Sequence, residues 1–166
     1  MAGYSGTPLA QKLGIKSGHR LALVSAPAGF ERQLEGLPDA VTIARQARGT
    51  ADVIVLFSER AADLASRFAS ASRHLDPAGG LWVAWPKKAS GRATDLTENT
   101  VREIGLATGL VDNKVCAVDE VWSGLRFVVR LVDRPGPGGP TATKTRTRTK
   151  PRTMPRGMID TKRRRD

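Results

Sequence analysis

The sequence predicts a three-layer, Rossmann-like α/β domain: a mainly parallel sheet with an antiparallel closing edge strand, followed by a disordered basic C-terminal tail. Three observations lead there. Short apolar runs of strand length alternate with segments of helical periodicity over the first 131 residues. The run from Ala51 to Phe57 is β-branched and apolar without alternation, as in a strand covered on both faces. From Asp133 onward the composition changes to Pro and Gly, then to Thr alternating with Lys or Arg. Alternating strands and helices imply βαβ units, because parallel neighbours need a crossover and the right-handed one dominates.

Each element has its own signal. Residues 7–14 read as a short helix: Thr7 suits its cap, Pro8 its first position and Gly14 its end. Residues 20–24 form the first strand, 40–45 the second and 51–57 the third. Ser58 opens a helix to about His74, on which Leu64, Phe68, Ala71 and Leu75 make one apolar stripe. Asp76, Pro77, Ala78, Gly79 and Gly80 stop it, and 81–85 is the fourth strand, with Trp82 and Trp85 facing opposite layers. A further helix covers about 97–108, with Val101 and Ile104 inward and Gly109 as terminator. A β-pair closes the domain: 114–118, a turn near Trp122, Ser123 and Gly124, then 125–131. That connection is too tight for a crossover helix, so the last strand should run antiparallel.

The charge divides the chain at the same border. Of 166 residues, 27 are Lys or Arg and 16 Asp or Glu, a formal charge of +11. Residues 133–166 hold eleven of the basic and three of the acidic residues, so +8 belongs to the tail and only +3 to 1–132. The tail cannot bury enough apolar surface to offset its ordering entropy. One cysteine excludes a disulfide framework and a Cys-rich metal site, and suits a reducing cytoplasm. No apolar run approaches the roughly 20 residues that cross a bilayer, and residues 1–8 lack the regions of a signal peptide.

The organisation of 20–132 resembles the class I methyltransferases. The strand at 51–57, the helix after it and the stretch His74-Leu75-Asp76-Pro77-Ala78-Gly79-Gly80-Leu81-Trp82-Val83 resemble the later half of that fold, as does Gly109-Leu110-Val111 before the final pair. A more specific resemblance is to a bacterial family known only as a domain of unknown function. It rests on Thr7 to Lys16, on Gly80 to Gly91 and on Asp119 to Phe127, and it brings no activity with it.

The methyltransferase resemblance implies an S-adenosylmethionine site with a glycine-rich turn after the first strand and an acidic residue ending the second. The first turn here runs Val24-Ser25-Ala26-Pro27-Ala28-Gly29-Phe30, with one glycine and a proline that lacks an N–H. The second strand ends at Arg45 and Gln46. The scaffold signals survive while the positions that carry the cofactor depart, so no cofactor is expected, with S-adenosylmethionine as the alternative. Fold alone does not confer the activity.

Ligands of open α/β sheets bind at the carboxyl ends of the strands. That edge gathers Ser25, Gly29, Arg45, Ser58, Glu59, Lys87, Lys88, Ser90 and Gly91. Two lysines in a small polar loop leaving a buried strand suit an anion such as phosphate or carboxylate, although two lysines in a loop are usually a solvated basic turn. Asp119, Glu120 and Trp122 form either a recognition tip for a protein partner or a hairpin turn with its tryptophan folded onto the sheet.

No catalytic set emerges. His19 and His74 stand far apart, Cys116 reads as a small buried hydrophobe, and no cluster has metal-ligand spacing. No Gly-x-x-x-x-Gly-Lys-Ser/Thr loop is present. In the tail, Lys144, Arg146, Arg148, Lys150, Arg163, Arg164 and Arg165 would attract polyanions, or serve only to solubilise. Taken together, the sequence reads as a cytoplasmic binding or regulatory module whose partner is a protein or a small anion. An atypical methyltransferase and a nucleic-acid-associated protein are the other readings.

Overall fold

The computed structural model describes residues 7–34 and 36–134. Six strands form one sheet: β1 (Arg20–Val24), β2 (Thr42–Ala44), β3 (Ala51–Phe57), β4 (Leu75–Pro86), β5 (Val111–Ala117) and β6 (Trp122–Val128). Their order is β2-β1-β3-β4-β6-β5. The first four run parallel, while β6 is antiparallel to both β4 and β5. The closing pair thus makes the antiparallel end of the sheet, with β6 slotted inward and β5 at the border. Three helices accompany the strands: α1 (Leu9–Lys12), α2 (Ala61–Ser72) and α3 (Glu98–Leu106).

The two faces of the sheet follow from the alternation of side chains along a strand. On β3, Ile54 and Leu56 join Leu64, Phe68 and Ala71 of α2 and Val101 of α3 in one apolar cluster. Val53, Val55 and Phe57 join Ala10 of α1, Leu13, Phe30 and Leu34 in the other. Because β3 is sandwiched, both sets are apolar. Trp85 lies in the first cluster and Trp82 in the second, one on each side as their spacing requires. Trp82 Nε1 also donates to Leu13 O at 3.0 Å, which satisfies a buried donor and fastens the end of α1 to the sheet.

The fold differs from the sequence expectation most at α1, at β4 and in the closing pair, whose strands β5 and β6 each begin three residues earlier than the expected 114 and 125. α1 starts one residue late, so Pro8 and not Thr7 holds the cap position. The Asp76–Gly80 stop is absorbed into β4 as an irregularity: Ala51 pairs with Leu75, and Val53 already pairs with Gly80. A Cβ on Gly79 would lie 2.2 Å from Asp52 O, so glycine serves a close approach of backbones there and does not end the strand. The hairpin turn lies before Trp122 and not at 122–124. Asp119 Oδ1 accepts from the N–H groups of Val121 and Trp122, at 2.8 Å each, and this closes the turn. Gly124 is a strand residue against Trp82, whose Cε3 would sit 3.1 Å from an added Cβ.

Candidate functional site at the carboxyl edge of the sheet

The chain leaves β1 for β2 on one side and later places β3 on the other, so the strand order reverses between β1 and β3. Such a switch point is where open α/β sheets take ligands, and residues 25–29 and 58–60 lie beside it here. Ser25 turns sharply, with a left-handed φ of 60°, and Gly29 does so at 79°. Phe30 follows, buried, and opens the 3-10 turn Phe30–Gln33. Phe30 meets Phe57 edge to face at 4.9 Å, and Phe57 meets Trp122 in the same way at 5.1 Å. Three buried rings therefore floor the α1 side of this edge.

Arginines hold the loop after β1. Arg45, just past β2, donates through Nη2 to Ala26 O at 3.2 Å and pairs through Nη1 with Glu31. The Glu31 carboxyl is held below the usual glutamate value, first by its own backbone N–H, then by the bond from Arg45. Arg67 reaches from α2 to donate to Ser25 Oγ. Arg32 lies so close to Gly29 that an added Cβ would stand 3.0 Å from its Nη1.

A second group straps the chain after β4 over the end of β3. Glu59 Oε2 accepts from Arg92 Nε at 2.9 Å and Nη2 at 2.6 Å. The same guanidinium lies 5.3 Å from the Trp122 ring centroid. Thr94 Oγ1 donates to Glu59 O at 2.6 Å. Asp95 Oδ1 accepts from Ala61 N at 2.8 Å, and so caps α2, whose own cap residue Arg60 offers no side-chain acceptor.

The candidates read from sequence fall into separate places. Ser25, Gly29 and Arg45 meet around the first loop. Lys87, Lys88, Ser90 and Gly91 lie at the end of β4, with β3 between the two groups. Ser90 Oγ donates to Lys87 O at 2.7 Å and Gly91 is left-handed at 77°, so both shape that turn, while Lys88 is exposed. Of the possible recognition tip, Trp122 is only 6% exposed and packs on Phe57, the folded-down alternative. Asp119 closes the turn and accepts from Gln33 Nε2 at 3.1 Å; Glu120 alone is fully exposed. The histidines have structural partners: His19 Nδ1 accepts from Lys16 N in a local turn, and His74 Nδ1 bonds Gly49 O, 25 residues away. Cys116 is half-buried, and burial pushes its thiol up. The tail cations from Lys144 to Arg165 lie outside the described residues. Arg32, Arg67, Arg92 and Asp95 did not emerge from the sequence, where a surface charge carries no sign of a distant partner.

Among the described residues no group of three or more His, Cys, Asp or Glu could hold a metal ion, and no helix is long and apolar enough to cross a membrane. A family profile described as "Protein of unknown function (DUF3052)" matches residues 27–131. The chain belongs to that family. No curated protein matches it. Solved structures similar to this DUF3052 chain include methyltransferases and a fibrillarin. One is magnesium protoporphyrin IX methyltransferase from Synechocystis PCC 6803 with bound SAM, at 10% identity, TM-score 0.51 and 74% coverage of each chain. Another is a SAM-dependent methyltransferase from Aquifex aeolicus, at 14% identity and TM-score 0.50 over 72% of this chain and 86% of that one. A third is the Methanococcus jannaschii fibrillarin pre-rRNA processing protein, at 12% identity and TM-score 0.50 over 77% and 71%. At these identities the likeness is one of fold: the DUF3052 domain has a methyltransferase-like α/β architecture.

Proposed function

We propose that this DUF3052 domain is a non-catalytic binding or regulatory module, which kept the methyltransferase-like scaffold and takes a small anion at its carboxyl edge. One observation supports it above the others. Arg45 extends from the end of β2 to Ala26 O and Glu31, and so fills with a side chain of the protein the span between the first two strands. In the methyltransferase-like arrangement that span holds the ribose, with an acid at the end of β2 to accept from its diol. A guanidinium there has no acceptor to offer. Pro27 in the preceding loop likewise has no N–H for an approaching ligand. These residues do not fit S-adenosylmethionine, and no reaction step is assigned to it.

Calorimetry with S-adenosylmethionine tests the reading. No stoichiometric heat is expected, whereas a micromolar, one-to-one isotherm would overturn it. The alternative, an atypical methyltransferase, draws on the fold likeness and on the sharp left-handed turns at Ser25 and Gly29, and it requires that isotherm. The tail calls for a separate experiment, because +8 of the charge lies in 133–166.

A further inference from the structure

We infer that the loop after β1 is a phosphate site, and that its ligand is a small phosphorylated molecule whose phosphate sits between Arg67, Arg32 and the N–H groups of Ala26, Ala28 and Gly29. The inference rests on the binding-module reading and names the ligand that module takes.

Three guanidinium groups from three elements surround five residues. Arg67 comes from α2 and bonds Ser25 Oγ, Arg45 comes from the end of β2 and bonds Ala26 O, and Arg32 comes from the 3-10 turn and abuts Gly29. Among the described residues, Glu31 is the carboxylate of this group, and it is paired with Arg45. It also feels the charge of Arg32. Asp63 lies one turn from Arg67 on α2, yet no ion pair joins them. Among the described residues the loop therefore carries two positive charges beyond its own neutralisation, at the point where the strand order reverses.

The backbone adds donors. Among the described residues, the N–H groups of Ala26, Ala28 and Gly29 donate to no protein acceptor. The loop is partly exposed, with Ala28 and Ser25 open to solvent. Unused N–H groups in a turn with a left-handed residue, as at Gly29, form the concavities that bind anions. The ligand class follows from the charge. A carboxylate would satisfy one guanidinium fork, whereas a phosphate monoester offers three oxygens and nearly two charges, enough for two forks and a backbone donor. Arg67 holds Ser25 Oγ, a neutral acceptor, and exchanging it for a phosphate oxygen replaces an ion–neutral hydrogen bond with one between opposite charges.

The test is titration of the ¹⁵N-labelled full-length protein with inorganic phosphate and with phenyl phosphate at constant ionic strength, chloride serving as control. Amide shifts are expected at Ala26, Ala28 and Gly29. Arg67→Gln should weaken the response about tenfold, as loss of a hydrogen bond to a charged group does, while Lys16→Ala, exposed before β1 at the opposite edge of the sheet, leaves it unchanged. Arg67→Lys keeps the charge without the fork and should fall between wild type and Arg67→Gln. A thermal melt of each variant establishes that it folds. Absence of shifts with either phosphate probe, equal shifts with chloride, or an Arg67→Gln response equal to wild type would each overturn the site. None of these would restore S-adenosylmethionine binding, so the failure of this site and of the binding-module reading remain distinct results.

Discussion

Gly105 poses a conflict between two residue-scale effects that magnitudes decide. It lies inside α3, where alanine in place of glycine ordinarily gains about 1 kcal/mol. Here the added Cβ would stand 2.1 Å from Cε2 of Phe127. That ring is fully buried and stacked edge to face on Phe68 at 5.1 Å, so it has little room to withdraw. Overpacking of this kind costs about 1–3 kcal/mol, and Gly105→Ala should lower the urea midpoint; a raised midpoint would show that the ring yields. Glu31 supplies a second case. Its carboxyl is lowered from the ordinary 4.5, so the linked stabilisation is fully present above that value and is lost as the pH falls through the lowered one. An NMR titration should place its midpoint below 4.5. Arg45→Ala should raise that midpoint only in part, because the bond from the backbone N–H of Glu31 is the larger cause. A midpoint unmoved by Arg45→Ala would contradict the ion pair.

At the scale of elements, the sequence disclosed strands better than the contacts that join them. β1 and β3 fall where their apolar runs place them, since a strand covered on both faces must be apolar throughout. The stripe of Leu64, Phe68 and Ala71 likewise marks the buried face of α2. Glycine misled the reading twice. Gly79 and Gly124 read as turn residues, but each sits in a strand because backbone or a tryptophan ring passes close by. Local sequence cannot separate these two uses of a missing side chain. The cap of α2 was hidden for a different reason, as Asp95 lies 34 residues beyond the amide it accepts from. Asp95→Ala should therefore cost about 1 kcal/mol, as loss of a helix cap does, and speed hydrogen exchange at Ala61 and its neighbours. Exchange unaffected at Ala61 would mean that the cap is dispensable. The candidate site was legible in part for the same reason. Ser25, Gly29 and Arg45 adjoin strand ends and announce themselves, whereas Arg67 sits on an exposed helix face like any solvated arginine.

At the scale of the whole chain, the uneven charge assigns separate predictions to the domain and to the tail. The folded part and the tail differ by +3 against +8, so binding to a polyanion should follow the tail and binding to a small anion the domain. Residues 133–166 contain no Phe, Trp or Tyr, so bases find nothing to stack on, and contacts should be to phosphates alone. Such binding is blind to sequence and releases counterions, giving a log–log salt slope of roughly −0.9 for each phosphate neutralised on duplex DNA. Gel shifts across a salt series should accordingly show the full chain retained on any duplex at low salt and released steeply as salt rises. Deleting 134–166 should abolish retention while leaving the phosphate response of residues 26–29 intact, since Arg32 and Arg67 remain. If the truncated domain held duplex with an unchanged salt slope, the polyanion site would belong to the carboxyl edge of the sheet and the tail would act only as a solubilising extension.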